Sequence, residues 1–191
     1  MLIYSLIDEK LGRKMKLHLG CGEVHLTDYI NIDYPVDQHT VQTKPAADEF
    51  HDILELSYPH DSIDEIRLHH VFEHFSRPVA LGLLAGWWCW LRPEGILHIE
   101  VPDFDRTVLT VLNPFSKQEL RGVALRHIFG SQEASWAVHM EGWSPKRLSH
   151  LIRSMGYKVN QVNKNSYKGT HNFEIIAVKT SVSFQRDDFE K

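Results

Sequence analysis

A chain of 191 residues, 42% hydrophobic and 24% charged, has the length and composition of one globular domain with a continuous core, which excludes a disordered chain. Its formal net charge of −4 provides no basic field for a nucleic-acid backbone, and no apolar run reaches the ~18 residues of a membrane helix, so neither nucleic acid nor a membrane span is expected. The two cysteines, Cys21 and Cys89, fall in a glycine loop and a helical stretch rather than a disulfide framework, and the first residues lack the basic start and apolar run of a secretory signal; the expected compartment is the cytoplasm.

A single domain is expected over 1–191. Residues 1–15 space Leu2, Ile3, Leu6 and Ile7 as a short amphipathic helix. Lys16–Leu19 reads as a strand stopped by Gly20 and Gly22, and Tyr29–Asp33 as a second; the connection is too short for a full helix, so the first helix must be vestigial. A third strand is read over His51–Leu54 and a fourth over Asp64–Leu68. Ala80, Leu84, Trp87, Trp88 and Leu91 then share one helical face behind Pro78, and the turn Arg92–Gly95 ends that helix. Ile96–Val101 is a strongly apolar fifth strand. Residues 103–143 loosen into two short helices, Phe104–Leu112 and Lys117–Phe129, and an aromatic loop; this is the place for a lid over a substrate. Ser144-Pro145 starts a helix through Met155 that Gly156 ends. Strands over Tyr157–Val162 and Phe173–Lys179, joined by a polar loop, make an antiparallel hairpin, and 181–191 is a charged, fraying tail.

Alternating strands and helices with glycine after the first strand describe an open, mostly parallel sheet whose ligand sits at the carboxyl ends of the strands. Gly20-Cys21-Gly22 lets the backbone turn and approach a ligand where a Cβ would collide, and Asp33 ends the next strand where a carboxylate can accept two ribose hydroxyls. The same spacing also suits a plain tight turn. A dinucleotide fingerprint would place glycine or alanine where His25 stands, and the Gly-Lys-Ser/Thr of a phosphate loop is missing; the site suits a nucleoside without phosphates.

Five segments occur in the order found in class I S-adenosylmethionine-dependent methyltransferases: Leu17–Gly22, Tyr29–Asp33, His51–Ile53, Ile63–Ile66 running into Val71–His74, and Leu91–Gly95. The chain resembles that family over about residues 16–102, and most resembles its small members associated with glycan and surface-polysaccharide genes. The resemblance implies a Rossmann-like α/β fold, with a mostly parallel seven-stranded sheet, a C-terminal antiparallel hairpin and a shortened first helix. It implies S-adenosyl-L-methionine as cofactor, with Leu19, Gly20, Cys21 and Gly22 under the methionine part, Asp33 on the ribose, Asp52 and Ile53 beside the adenine, and His69 beside the sulfonium. It further implies O-methylation of a small or glycan-linked acceptor. Two positions depart from the pattern: His18 stands where an acid is usual, and Glu23 where a third glycine is common.

The chain holds 13 histidines. His69 and His70 leave a strand end at the expected site, where an imidazole can take a proton from an attacking hydroxyl; His139 and Asp103 are the other acid–base candidates, Asp103 doubling as a helix cap. Trp136, His139 and Trp143 with Phe104 and Phe115 are candidates for an apolar platform over the site, whereas Trp87, Trp88 and Trp90 belong to the core. His70-Val71-Phe72-Glu73-His74 also matches the His-x-x-Glu-His pattern of inverted zinc peptidases, but that chemistry needs a helix and this segment follows a strand. Glu73 and His74 are read as structural, and no resident metal is expected. Two other readings stay open: a non-catalytic module that binds S-adenosylmethionine or S-adenosylhomocysteine, and the zinc peptidase.

Overall fold

A computed structural model describes residues 14–35, 44–167 and 169–180. The N-terminal helix expected over 1–15 and the tail 181–191 therefore lie outside the described residues, apart from residues 14 and 15.

The middle of the sheet is made by strands that alternate apolar residues on one face with polar ones on the other. β1 (Lys16–Leu19) lies between β2 (Ile30–Asp33) and β4 (Ile63–His69), parallel to both, and Leu17, Leu19, Ile66 and Leu68 have no exposed surface. β5 (Leu91–Pro102) continues the parallel set beyond β4, and the short β3 (Glu49–Phe50) closes the other edge beside β2. β7 (Thr170–Lys179) runs antiparallel to β5, and β6 (Tyr157–Tyr167) antiparallel to β7. The order is β3-β2-β1-β4-β5-β7-β6, a seven-stranded α/β sheet with a C-terminal antiparallel hairpin, as expected.

Four α-helices flank these strands among the described residues. α1 (Arg77–Trp90) carries Pro78 in its first turn and buries Ala80, Leu84 and Trp87 at helical spacing. α4 (Pro145–Ser154) buries Leu148 and Ile152, and these two helices join the strands in one core. α2 (Phe104–Leu112) and α3 (Gln118–Phe129) pack on each other and on β7. Between β1 and β2 the chain makes turns only, so the first helix is absent rather than short.

Three local readings are corrected. The strand expected over His51–Leu54 lies earlier, at Glu49–Phe50, because the Asp52 carboxylate accepts the Leu54 amide at 2.9 Å and bends Ile53–Glu55 into one 3-10 turn. The helix ending predicted at Arg92–Gly95 comes at Trp90, and the strand begins at Leu91. Ile63 pairs with Leu91 and Glu65 with Ile96, so Arg92–Gly95 bulge out opposite Asp64 inside the strand. The polar stretch expected to be a loop between β6 and β7 is mostly ladder, with pairs out to Tyr167 and Thr170; an edge strand with polar residues on both faces carries no alternation to read.

Candidate functional site

A cleft of about 810 Å³ opens at the carboxyl ends of β1, β2, β3 and β4, where this sheet topology places a ligand. Its floor is the turn after β1. Gly20 and Gly22 have φ of 67° and 60°, and a Cβ on Gly20 would collide with the Val71 side chain. Gly20 and Cys21 both donate their amides to the Ile32 carbonyl, at 2.8 and 3.1 Å, which folds the turn back onto β2. Gly22 donates its amide to Asp33 Oδ2 at 2.8 Å and Tyr34 donates to Oδ1 at 2.7 Å, so the carboxylate is anchored at the cleft wall with 5% of the residue exposed. Burial, reinforced by Asp33, pushes the Cys21 thiol up to about 12; it is a packed, protonated wall and not a nucleophile.

The expected cofactor residues converge here. Gly20, Cys21, Gly22, Asp33, Asp52, Ile53 and His69 all line the cleft, and Leu19 lies buried at the end of β1 just below it. Tyr34, Val71, His74, Phe75 and Trp136 complete much of the wall. Among the described residues that line it there is no lysine or arginine.

The imidazoles divide by their partners. His69 accepts the Arg67 Nε–H on its Nε2 at 3.0 Å, so its own proton is on Nδ1. Burial, with Arg67 and the neighbouring His98 and His18 adding to it against Glu100, holds this ring down at about 4: it is neutral, with its basic nitrogen already taken. His70 has φ 54°, and both ring nitrogens face carboxylates, Nδ1 at 3.4 Å from Glu73 and Nε2 at 3.3 Å from Glu100. Burial works against its charge, but Glu100 and Glu73 outweigh it and lift the ring to about 10. Neither imidazole offers a free lone pair to a hydroxyl at neutral pH. His18 is buried against Asn31 Oδ1 at 3.0 Å, and burial lowers its pKa; it lines the same wall.

Other sequence candidates lie elsewhere. Asp103 caps α2, accepting the Arg106 amide at 3.3 Å, and does not line the cleft. His139 sits behind the cleft wall against Glu73 and the His127 carbonyl. The aromatic platform does not assemble: Trp136 lines the cleft, but Trp143 is core, stacked on Phe72 at 5.4 Å, and Phe115 is 92% exposed. Trp87 is core and Trp88 and Trp90 pack against it, as read. His74 is the lining residue that sequence reasoning set aside as structural; it faces the cleft because Phe72–His74 is a single 3-10 turn. Spacing within five residues does not encode that direction.

The sheet order with its antiparallel seventh strand and the cleft over the first glycine turn define a Rossmann-like fold of the class I methyltransferase kind. Solved structures with this fold include an S-adenosylmethionine-dependent methyltransferase from Mesorhizobium loti, at TM-score 0.61 and 11% identity over 87% of this chain and 91% of the other. A second, from Methanosarcina mazei, aligns at TM-score 0.59 and 14% identity, covering 92% and 97%. The 1,6-didemethyltoxoflavin N1-methyltransferase of Burkholderia thailandensis, solved with S-adenosylhomocysteine, aligns at TM-score 0.56 and 16% identity, covering 92% and 76%. No protein-family model matches the chain, and no curated protein matches it in sequence.

Proposed function

We propose that the protein is an S-adenosyl-L-methionine-dependent methyltransferase that acts on an oxygen of a small or glycan-linked acceptor. The carrying observation is the cleft itself: a glycine turn beside an anchored carboxylate, with no lysine or arginine among the described lining residues to hold phosphates and the one cationic imidazole, His70, already facing Glu73 and Glu100. That lining fits a nucleoside without phosphates, and the similar structures named above are of enzymes that use this cofactor.

When bound, the cofactor supplies a methyl group already activated on a sulfonium. The chain's own residues then have a positioning task. Gly20–Gly22 pass under the methionine part, Asp33 accepts the ribose hydroxyls, and Asp52 and Ile53 flank the adenine. His69 presents an Nδ1–H and orients an acceptor oxygen rather than deprotonating it. Trp136, from the 103–143 lid region, supplies an apolar wall for the acceptor.

A non-catalytic module that binds the cofactor or its demethylated product is the second reading. It is favoured by the occupied nitrogens of His69 and His70. Cofactor consumption in the presence of a hydroxyl acceptor separates the two.

Calorimetric titration with S-adenosylmethionine and S-adenosylhomocysteine tests the reading. The expected result is micromolar binding, about −8 kcal/mol, that weakens by more than about tenfold in Asp33→Ala. Heat-silent titrations with both compounds, confirmed by equilibrium dialysis, would falsify it.

A further inference from the structure

Behind the cleft wall lies a buried carboxylate that this reading does not use. Glu73 is 1% exposed, and neither side-chain oxygen has a hydrogen-bond partner. Burial without partners is costly for any polar group and more so for an ionised one. His70 Nδ1 is 3.4 Å away but without the alignment of a hydrogen bond.

Two further imidazoles are aimed at this carboxylate by backbone carbonyls. His74 Nδ1 is 3.1 Å from the Val138 carbonyl, and His139 Nδ1 is 2.9 Å from the His127 carbonyl. A carbonyl only accepts, so each Nδ1 carries the proton, and each neutral ring keeps its lone pair on Nε2. The two rings meet edge to face at 4.8 Å, and one ligand atom from each of Glu73, His74 and His139 lies within 4.8 Å of the others. The two Nε2 lone pairs and the carboxylate thus converge as three acceptors, with the His70 Nδ1–H at 3.4 Å the cationic neighbour of Glu73. A proton would draw His139 and Glu73 to a charge-assisted hydrogen bond of about 2.7–2.9 Å, but Nε2 and Oε1 stand 3.8 Å apart. That gap suits an ion between them: ligand atoms around tetrahedral zinc are about 3.4 Å apart, so each side chain closes by less than about 1 Å.

We propose that Glu73, His74 and His139 bind one divalent cation of the zinc class. Two imidazoles and a carboxylate suit that class, and a carbonyl fixing each Nδ1–H is the usual support for a metal-bound histidine. The arrangement differs from a His-x-x-Glu-His peptidase: Glu73 is a ligand, His70 faces Glu73 and Glu100, and the third ligand comes from the loop after α3. His74 lines the cleft, and the Met140 and Glu141 amides donate to the Glu73 carbonyl at 2.8 and 3.2 Å. The ion therefore pins residues 139–141 to the wall of the cleft.

The test uses the full chain, stripped with a chelator, then titrated with Zn²⁺ against a chromophoric competitor and with Co²⁺ by visible absorption. The expected result is one equivalent bound, the intense d–d bands of low-coordinate cobalt, and loss of affinity by more than about 100-fold in His139→Gln and Glu73→Gln but not in His150→Gln, an exposed histidine of α4 outside the trio. Because the buried variants can lose their fold, the wild-type imidazole ¹⁵N shifts are read as well. Zinc should move Nε2 of His74 and His139 and leave their Nδ1–H intact. Less than about 0.1 equivalent bound after reconstitution, or unmoved Nε2 signals, overturns the site. Titration with S-adenosylhomocysteine in parallel keeps the two readings separate, since metal can bind where the cofactor does not.

Discussion

Gly20 is the residue at which backbone geometry and side-chain packing meet at the cleft. Its φ of 67° places any other L-residue in the left-handed region, and an added Cβ runs into Val71. Gly20→Ala is expected to cost more than about 2 kcal/mol, and a part of that returns in Gly20→Ala/Val71→Ala, where only the backbone strain persists; a double-mutant cycle by urea denaturation reads both terms. His69 makes a pH-dependent contribution. Burial first, then Arg67 with His98 and His18, opposed by Glu100, takes its pKa from 6.5 to about 4. The folded state therefore binds fewer protons than the unfolded one across that window. The stabilisation from a neutral His69 is complete above about pH 6.5 and is lost as the pH falls toward 4. Urea midpoints of the wild type should fall between about pH 7 and pH 5, and His69→Gln should fall less; equal slopes would mean that the ring titrates as it does in water. The turn at Gly20, Cys21 and Gly22 beside the Asp33 carboxylate was legible because glycine spacing and a strand-end acid are local features. The Glu100 partner of His70 was not, because it comes from β5 through strand pairing, and the Arg67–His69 hydrogen bond within β4 depends on side-chain torsions that spacing does not carry.

The helices were the legible elements. Ala80, Leu84 and Trp87 bury one face of α1 at a helical period, and Ser144-Pro145 marks the start of α4; both signals are contained within the segment that folds. β3 was misplaced because Asp52 captures a nearby amide, and the outer halves of β6 and β7 were hidden because each takes its hydrogen bonds from the other. The loop before α4 is held by a contact that no pattern shows. Glu141 accepts Arg147 Nη1 at 2.7 Å from α4 and Arg77 Nε at 2.9 Å from the start of α1. Arg147 above all, against burial and with help from Arg77, lowers the Glu141 pKa to about 2. Arg77 and Arg147 are 67% and 40% exposed, so solvent screens the pairs, and Glu141→Gln should cost only about 1 kcal/mol at neutral pH, or roughly 2–4 °C in Tm. Thermal melts at low and high salt measure it, and the deficit should shrink in salt.

For the whole molecule, a ligand that seats between the β1 turn, the end of β2 and the β4 wall stabilises the folded state by mass action. At about 100 times its Kd, S-adenosylmethionine should add about 2.7 kcal/mol and raise Tm by roughly 5–10 °C; an unshifted melt at that concentration contradicts the cofactor assignment. No helix of the described residues is long and apolar enough to cross a membrane. The sequence by itself determined the α/β class, the glycine turn with its acid and the flanking helices, because period, turn chemistry and strand-end position are properties of short segments. Only the tertiary structure decided which side chains share a wall. Glu73 and His139 are brought together by the loop after α3 folding back onto the end of β4, and His74 enters the cleft by the direction of one 3-10 turn. Such contacts depend on long-range closure and on χ angles, and a one-dimensional pattern carries neither.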